Sequence, residues 1–173
     1  MSGGPSEEQL EAAARALGVA LRAAGWRVAV AESSTGGLIG HSITMVPGSS
    51  DYFPGGVISY SNQAKEVELG VPAALIAEHG AVSAEVAAAM AEGVSHRFGT
   101  ELGVAVTGVA GPEGGTDDKP VGTHWIGVAL RGHPSRGDHR LYAHDRDGNK
   151  AQAALDALEL ALAEVMAASP VSD

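Results

Sequence analysis

The stretch Ala31-Glu32-Ser33-Ser34-Thr35-Gly36-Gly37 follows the apolar run Val28-Ala29-Val30 and precedes Ile39, Ile43 and Val46 at helical spacing. That order reads as a buried strand, a tight turn and a helix. A hydroxyl at the end of such a strand points into the crevice where open α/β sheets bind ligands. Glycine lets a ligand approach the backbone closely. Free N–H groups at the helix start, near Gly36 and Gly37, can hold an anion or a developing oxyanion. The same letters also describe a Ser/Thr helix cap followed by a glycine turn.

A serine needs a base to become a nucleophile at neutral pH. Seven histidines are present, but none stands in a familiar triad context, and Gly-x-Ser-x-Gly is absent. Lys65 is the more interesting partner for Ser33. It follows a second strand candidate, Val57 to Tyr60, on the first turn of the next helix. Adjacent parallel strands would bring Ser33 and Lys65 to one sheet edge, with Tyr60 beside them. A desolvated lysine can act as a base, whereas an exposed helix lysine cannot. A third element, Thr107-Gly108-Val109-Ala110-Gly111-Pro112, follows the buried run Leu102 to Val106 and opens at the same crevice. Its amides can cradle phosphate, although the Gly-Lys-Ser/Thr ending of a Walker loop is missing. Arg146, between the last strand and the last helix, can pair with phosphate bidentately. A structural glycine loop and a surface arginine are the plain alternatives. No metal ligand set is visible. His139 and His144 are five apart, His-Glu-x-x-His is absent, and Asp117-Asp118 suits a solvated turn better than a cation.

These residues need elements to position them. Met1 to Pro5 is expected to be a frayed tail, as are the residues after 168. Ser6 and Gln9 have capping-box spacing, and Leu10, Ala14, Leu17 and Leu21 mark a helix that Gly25 ends. A strand over about 27–31 feeds the hydroxyl turn, and the following helix stops before Pro47-Gly48-Ser49-Ser50. Asn62 can cap a helix to Leu69, Pro72 to Glu78 forms a second short helix, and Ser83 caps a longer one carrying Val86, Met90 and Val94. Thr123 to Leu130 and His139 to His144 form a hairpin. A final helix runs from about Asn149 to Ala167. Strand and helix alternate first, and a hairpin plus a helix closes the chain. The expected class is α/β, a three-layer α/β/α sandwich with a mixed, mostly parallel sheet in one domain over residues 6–168.

The 173 residues suffice for one sizeable core. The absence of cysteine excludes disulfides and thiolate catalysis. A formal net charge of −10 argues against a broad nucleic-acid surface, while a few local donors still suffice for one phosphate. The start of the chain has no apolar signal-like region and no run is long enough to span a bilayer. A cytoplasmic protein without nucleic-acid or membrane partners is the expectation.

Taken together, Glu32-Ser33-Ser34-Thr35-Gly36-Gly37, Val46-Pro47-Gly48-Ser49-Ser50, Tyr60-Ser61-Asn62-Gln63-Ala64-Lys65, His79-Gly80-Ala81-Val82-Ser83, Thr107 to Pro112 and Lys119-Pro120-Val121-Gly122-Thr123 resemble the CinA C-terminal domain family. Several motifs in the right order make this specific, and they cover most of the chain. The resemblance implies hydrolysis of the carboxamide of nicotinamide mononucleotide to nicotinic acid mononucleotide and ammonia. It implies Ser33 as nucleophile, Lys65 as base and Tyr60 assisting. Thr35, Gly36, Gly37, Ser50, Asn62, Thr107, Gly108, Gly111 and Arg146 would hold the nucleotide. It further implies a homodimer, no metal and no cofactor. The chain departs from the family pattern in three places: Ser34 stands where cysteine is common, His144 precedes Asp145-Arg146 where glycine is common, and Lys150 replaces a usual arginine. A non-catalytic nucleotide-binding module, accessory to DNA uptake or repair, is the alternative.

Overall fold

The computed structural model describes residues 3–169. Helix α1 (Glu7–Ala24) opens on the capping box: Ser6 accepts from the Gln9 N–H and the Gln9 side chain accepts from Ser6. Then follow β1 (Val28–Glu32), α2 (Leu38–Thr44), a 3₁₀ turn (Ser49–Asp51), β2 (Gly55–Ile58), α3 (Asn62–Leu69), α4 (Ala73–His79) and α5 (Ala84–Phe98). Strands β3 (Leu102–Gly108), β4 (Thr123–Leu130) and β5 (Arg136–Leu141) lead to α6 (Arg146–Ala168).

The five strands form one sheet in the order β2-β1-β3-β4-β5. β1 pairs in parallel with β2 and β3, while β4 pairs antiparallel with β3 and β5. Four strands therefore share a direction and β4 alone opposes them. From β1 the chain passes to β2 on one side and later to β3 on the other. The carboxyl end of β1 is thus a topological switch point, where such sheets open a crevice.

Helices cover both faces. On one, α1, α2 and α6 bury Val28, Val30, Val104, Val106, Ile126, Val128 and Leu130. On the other, α3, α4 and α5 meet a shallower surface of Ala29, Ala31, Ala105 and Ala129. There α5 lies close over three strands. A methyl group on Gly103, Gly127 or Gly137 would run into the carbonyl oxygen of Ala91, Ala87 or Ala84 respectively.

The expected boundaries need adjustment. β2 ends at Ile58, so Tyr60 lies beyond it. Ser61, not Asn62, caps α3, because its side chain reaches the Ala64 N–H. β5 occupies 136–141 rather than 139–144: pairing with β4 runs from Arg136 opposite Val128 to Leu141 opposite Thr123. α6 begins three residues early, since Asp145 accepts from the Gly148 N–H and starts the helix at Arg146. Gly3 and Gly4 lie against the start of α6, where a side chain on Gly4 would meet the Gly148 backbone at 2.6 Å. At the other end Ser169 closes α6 by donating its N–H to Val165, and residues 170–173, like Met1 and Ser2, lie outside the described residues.

Candidate active site

The parallel pairing of β1 with β2 does for Ser33 and Lys65 what strand adjacency predicts. Ser33 follows β1 directly, and its N–H donates to the Val106 carbonyl on β3. The loop after β2 is tied to β1 by Ser59 N–H donating to Glu32 O at 2.8 Å. The Ser61 cap then starts α3 so that Lys65 turns inward. Its Nζ stands 3.1 Å from Ser33 Oγ, 2.8 Å from the Ser59 carbonyl and 3.3 Å from the Tyr60 carbonyl.

Lys65 is 1 % exposed, and no carboxylate among the described residues pairs with it. Burial without a counter-charge disfavours the ammonium, and the pKa falls from the ordinary lysine value to about 8. The partners suit the neutral amine. Two are carbonyls, which only accept, so they take its two N–H groups. The third is a hydroxyl, which can donate to the remaining lone pair. This is the arrangement a serine needs for activation by a base.

The pair opens into a cavity of about 190 Å³ lined by Ser33, Ser34, Tyr60, Asn62, Lys65, Ala81, Val82, Thr107, Gly108, Ala110 and Arg146. No acidic side chain is in this lining. The volume is below the usual range for a drug-sized ligand, so it suits a ring or an acyl group with the rest of the ligand outside. Tyr60 is 66 % exposed and is the only aromatic side chain in the lining. It reaches Lys65 through its carbonyl, and its phenol makes no hydrogen bond among the described residues. Thr107 gives its hydroxyl proton to the Ala81 carbonyl at 2.8 Å, which fixes the Ala81-Val82 wall.

Arg146, at the start of α6, donates to the Gly111 carbonyl at 2.5 Å and leaves the rest of its guanidinium facing the cavity rim. Nearby, the Lys150 Nζ stands 3.8 Å from where a Cβ on Gly36 would be. Asn149 is fully buried and holds the glycine loop to α6: its Nδ2 donates to the Ala110 carbonyl and its Oδ1 accepts from His144 N–H. Gly108 is glycine because the His124 ring lies over it where a side chain would stand.

One expectation about binding groups is corrected. The amides near Gly36 and Gly37 are not free for an anion. Gly36 N–H donates to the Ser33 carbonyl, while the buried Glu32 carboxylate accepts from Gly37, Ile39 and Gly40 at 3.0, 3.1 and 2.8 Å. A built-in anion thus occupies the start of α2. Ser50 lies on the 3₁₀ turn at the opposite end of β1, where Tyr52 O accepts from Val28 N–H, and does not line the cavity. Gly36, Gly37 and Gly111 are not in the lining, and Thr35 adjoins it as the residue directly after Ser34.

Sequence reasoning assigned no role to Glu32, Asn149 or the Ala81-Val82 wall. The signal for Glu32 was an acid closing an otherwise apolar strand; Asn149 and the wall gave none outside the family motifs. A larger groove, about 740 Å³, lies at the far end of β3 and β4 among His96, Thr100, Arg131 and His133. In it the Ser135 hydroxyl donates to the exposed Glu92 carboxylate. Among the described residues no group of three or more His, Asp or Glu is placed to hold a metal ion. No helix there is long and apolar enough to cross a membrane.

Comparison with known proteins bears on this geometry. The family model described as CinA C-terminal domain matches residues 10–165. The chain is 43 % identical over 159 residues to a protein of Enterobacter agglomerans named nicotinamide-nucleotide amidohydrolase PncC, covering 92 % of this chain and 97 % of that one. A CinA-like protein of Salinibacter ruber is 54 % identical over 143 residues, 83 % of this chain, which is only 34 % of that longer protein. The chain spans about a third of the length of several such CinA-like relatives. The crystal structure of the competence/damage inducible protein CihA from Agrobacterium tumefaciens superposes with a TM-score of 0.87 at 35 % identity, covering 94 % of this chain and 98 % of that one. The α/β fold, the motifs and these matches agree, and the chain belongs to the CinA C-terminal domain family.

Proposed function

We propose that this domain is an amidohydrolase that converts nicotinamide mononucleotide to nicotinic acid mononucleotide and ammonia without a metal. The observation that carries the reading is the buried Lys65 amine, held by two carbonyls and facing the Ser33 hydroxyl at 3.1 Å. The near full-length similarity to a protein named for this activity supports the substrate.

In this reading Ser33 Oγ attacks the carboxamide carbon while its proton passes to Lys65 Nζ. The C=O electron pair moves onto oxygen, then returns as the C–N bond breaks, and Lys65 gives the proton to the departing nitrogen. Ammonia leaves and an ester on Ser33 remains. Water attacks that ester with Lys65 again as base, freeing the acid and restoring the serine. Tyr60 assists through its carbonyl, which helps hold the amine, and through its ring, which walls the cavity. The phosphate lies at the rim, where Arg146 and Lys150 bring positive charge to an otherwise acidic protein. Asn62, Thr107 and Gly108 shape the space between.

The test is ammonia release from nicotinamide mononucleotide by the purified protein, with and without EDTA. Turnover unaffected by chelation is expected. Nucleotide binding without ammonia would replace this reading with that of a binding module. The homodimer implied by the family resemblance belongs to the same proposal, and light scattering at micromolar concentration checks it.

A further inference from the structure

The turn that carries Ser33 has nearly all of its main-chain N–H groups engaged. Ser33 donates to Val106 O and Gly36 to Ser33 O. Leu38 donates to Thr35 O, and Gly37, Ile39 and Gly40 donate to the Glu32 carboxylate. Two N–H groups remain, those of Ser34 and Thr35, which have no acceptor among the described residues. Both residues are buried, at 7 % and 1 % exposed. Their hydroxyls, Ser34 Oγ and Thr35 Oγ1, are also buried and also lack a partner. Buried N–H groups without an acceptor are rare, because each forfeits a hydrogen bond it had in water. Two such N–H groups on consecutive residues, directly after a serine paired with a base, mark a place kept for an acceptor that the chain does not supply.

That acceptor has a chemical identity. When Ser33 Oγ bonds to an acyl carbon, the former carbonyl oxygen gains a full negative charge within a few ångströms of the serine. The serine's own N–H cannot serve it, being bonded to Val106, and the α2 amides are held by Glu32. We propose that the main-chain N–H groups of Ser34 and Thr35 are the oxyanion site of the Ser33–Lys65 pair. The assignment rests on Ser33 acting as the nucleophile and not on which amide is the substrate. It also makes the hydroxyls secondary: the main chain, not the Thr35 side chain, receives the charge.

A fluorophosphonate tests this without the nucleotide, since its P=O oxygen takes the oxyanion position. The Ser33 Oγ–P bond forms, fluoride leaves with the P–F electron pair, and the serine proton goes to Lys65. The variant replaces Thr35 by its α-hydroxy acid, which turns one N–H into an ester oxygen. Position 35 is preferred to 34, because an ester at 34 would also weaken the Ser33 carbonyl that accepts from Gly36. Mass spectrometry should place the label on Ser33 in the unmodified protein. The labelling rate should fall about 100-fold in the Thr35 ester. The same ester at Gly36, which removes the turn hydrogen bond to Ser33 O and weakens the Thr35 carbonyl that accepts from Leu38, should lower the melting temperature and leave the rate within a few-fold. Labelling at the unmodified rate in the Thr35 ester overturns the oxyanion assignment alone, as does an equal loss in the Gly36 ester. Failure to label Ser33 in the unmodified protein overturns the nucleophile and the oxyanion site together.

Discussion

The two ends of β1 carry turns that look alike in sequence and differ in what they can do. At the carboxyl end, Ser33 to Thr35 precede Gly36 and Gly37; at the amino end of the sheet, Gly48 precedes Ser49 and Ser50. Each turn uses glycine at positive φ, +62° and +104° at Gly36 and Gly37 and +78° at Gly48, a conformation that favours glycine. The difference lies in the cation beside each turn. Arg22, next to Gly48, is exposed and well supplied with partners. It donates to the Gly48 carbonyl at 2.7 Å, lies 3.4 Å from the Asp51 carboxylate and sits over the Tyr52 ring. Lys65, next to Ser33, is buried and has no counter-ion among the described residues. A guanidinium keeps its proton at any working pH, whereas a desolvated amine gives its proton up readily. In the proposed reading, a hydroxyl-and-glycine turn becomes reactive where the topology delivers a dischargeable base.

Mutation can break that contrast. Ser33→Ala should have the largest effect, lowering ammonia release by roughly 10⁴-fold or more while the melting temperature stays close to that of the parent. Lys65→Arg should lose roughly 10²- to 10⁴-fold in kcat, the range for a lost general base, and be nearly as inactive as Lys65→Ala. Near-normal turnover in the arginine variant would make the two ends alike after all.

Acidity sharpens the same contrast. With the Lys65 pKa lowered to about 8, the rate should rise about tenfold per pH unit below that value and level off above it. The stability sign is opposite to that of a paired lysine. Between about 8 and the ordinary lysine value the unfolded chain binds more protons than the folded one, so the contribution of Lys65 to stability rises with pH. Urea titrations at pH 7 and pH 9.5 should show the parent gaining stability relative to Lys65→Met at the higher pH.

Smaller effects complete the series. Tyr60→Phe should cost less than about tenfold in kcat, because the contact with Lys65 runs through the main chain. A loss comparable to that of Lys65→Arg would restore a proton-transfer role to the phenol. Ser50→Ala, at the far turn, should leave steady-state ammonia release unchanged, and a raised KM there would show that a second subunit brings Ser50 to the cavity.

Much of this was legible beforehand because it depends on local pattern. Apolar runs, glycine stops and the Ser6–Gln9 box gave the elements, and two strands each followed by chemistry gave the Ser33–Lys65 meeting. What escaped depends on contacts between distant segments. The spacing of residues 139–144 suited a strand, but the β5 register is set by partners on β4 and starts at Arg136. The glycine amides looked free because no sequence pattern reveals that Glu32 folds back onto α2. Ser50 shared a family motif with the site, and only the direction of β1 separates them.

The glycines under α5 have a consequence for how this protein tolerates change. Gly103, Gly127 and Gly137 sit beneath Ala91, Ala87 and Ala84 with no room for a methyl group. α5 begins at the Ser83 cap, immediately after the Ala81-Val82 wall of the cavity. A saturation scan should therefore divide the sheet by face. Positions under α1 and α6 would accept exchanges among valine, isoleucine and leucine, while the three glycines would reject even alanine. Adding one carbon there lifts a whole helix, and the helix carries a wall of the cavity with it. Residues far from the cavity thereby hold its dimensions.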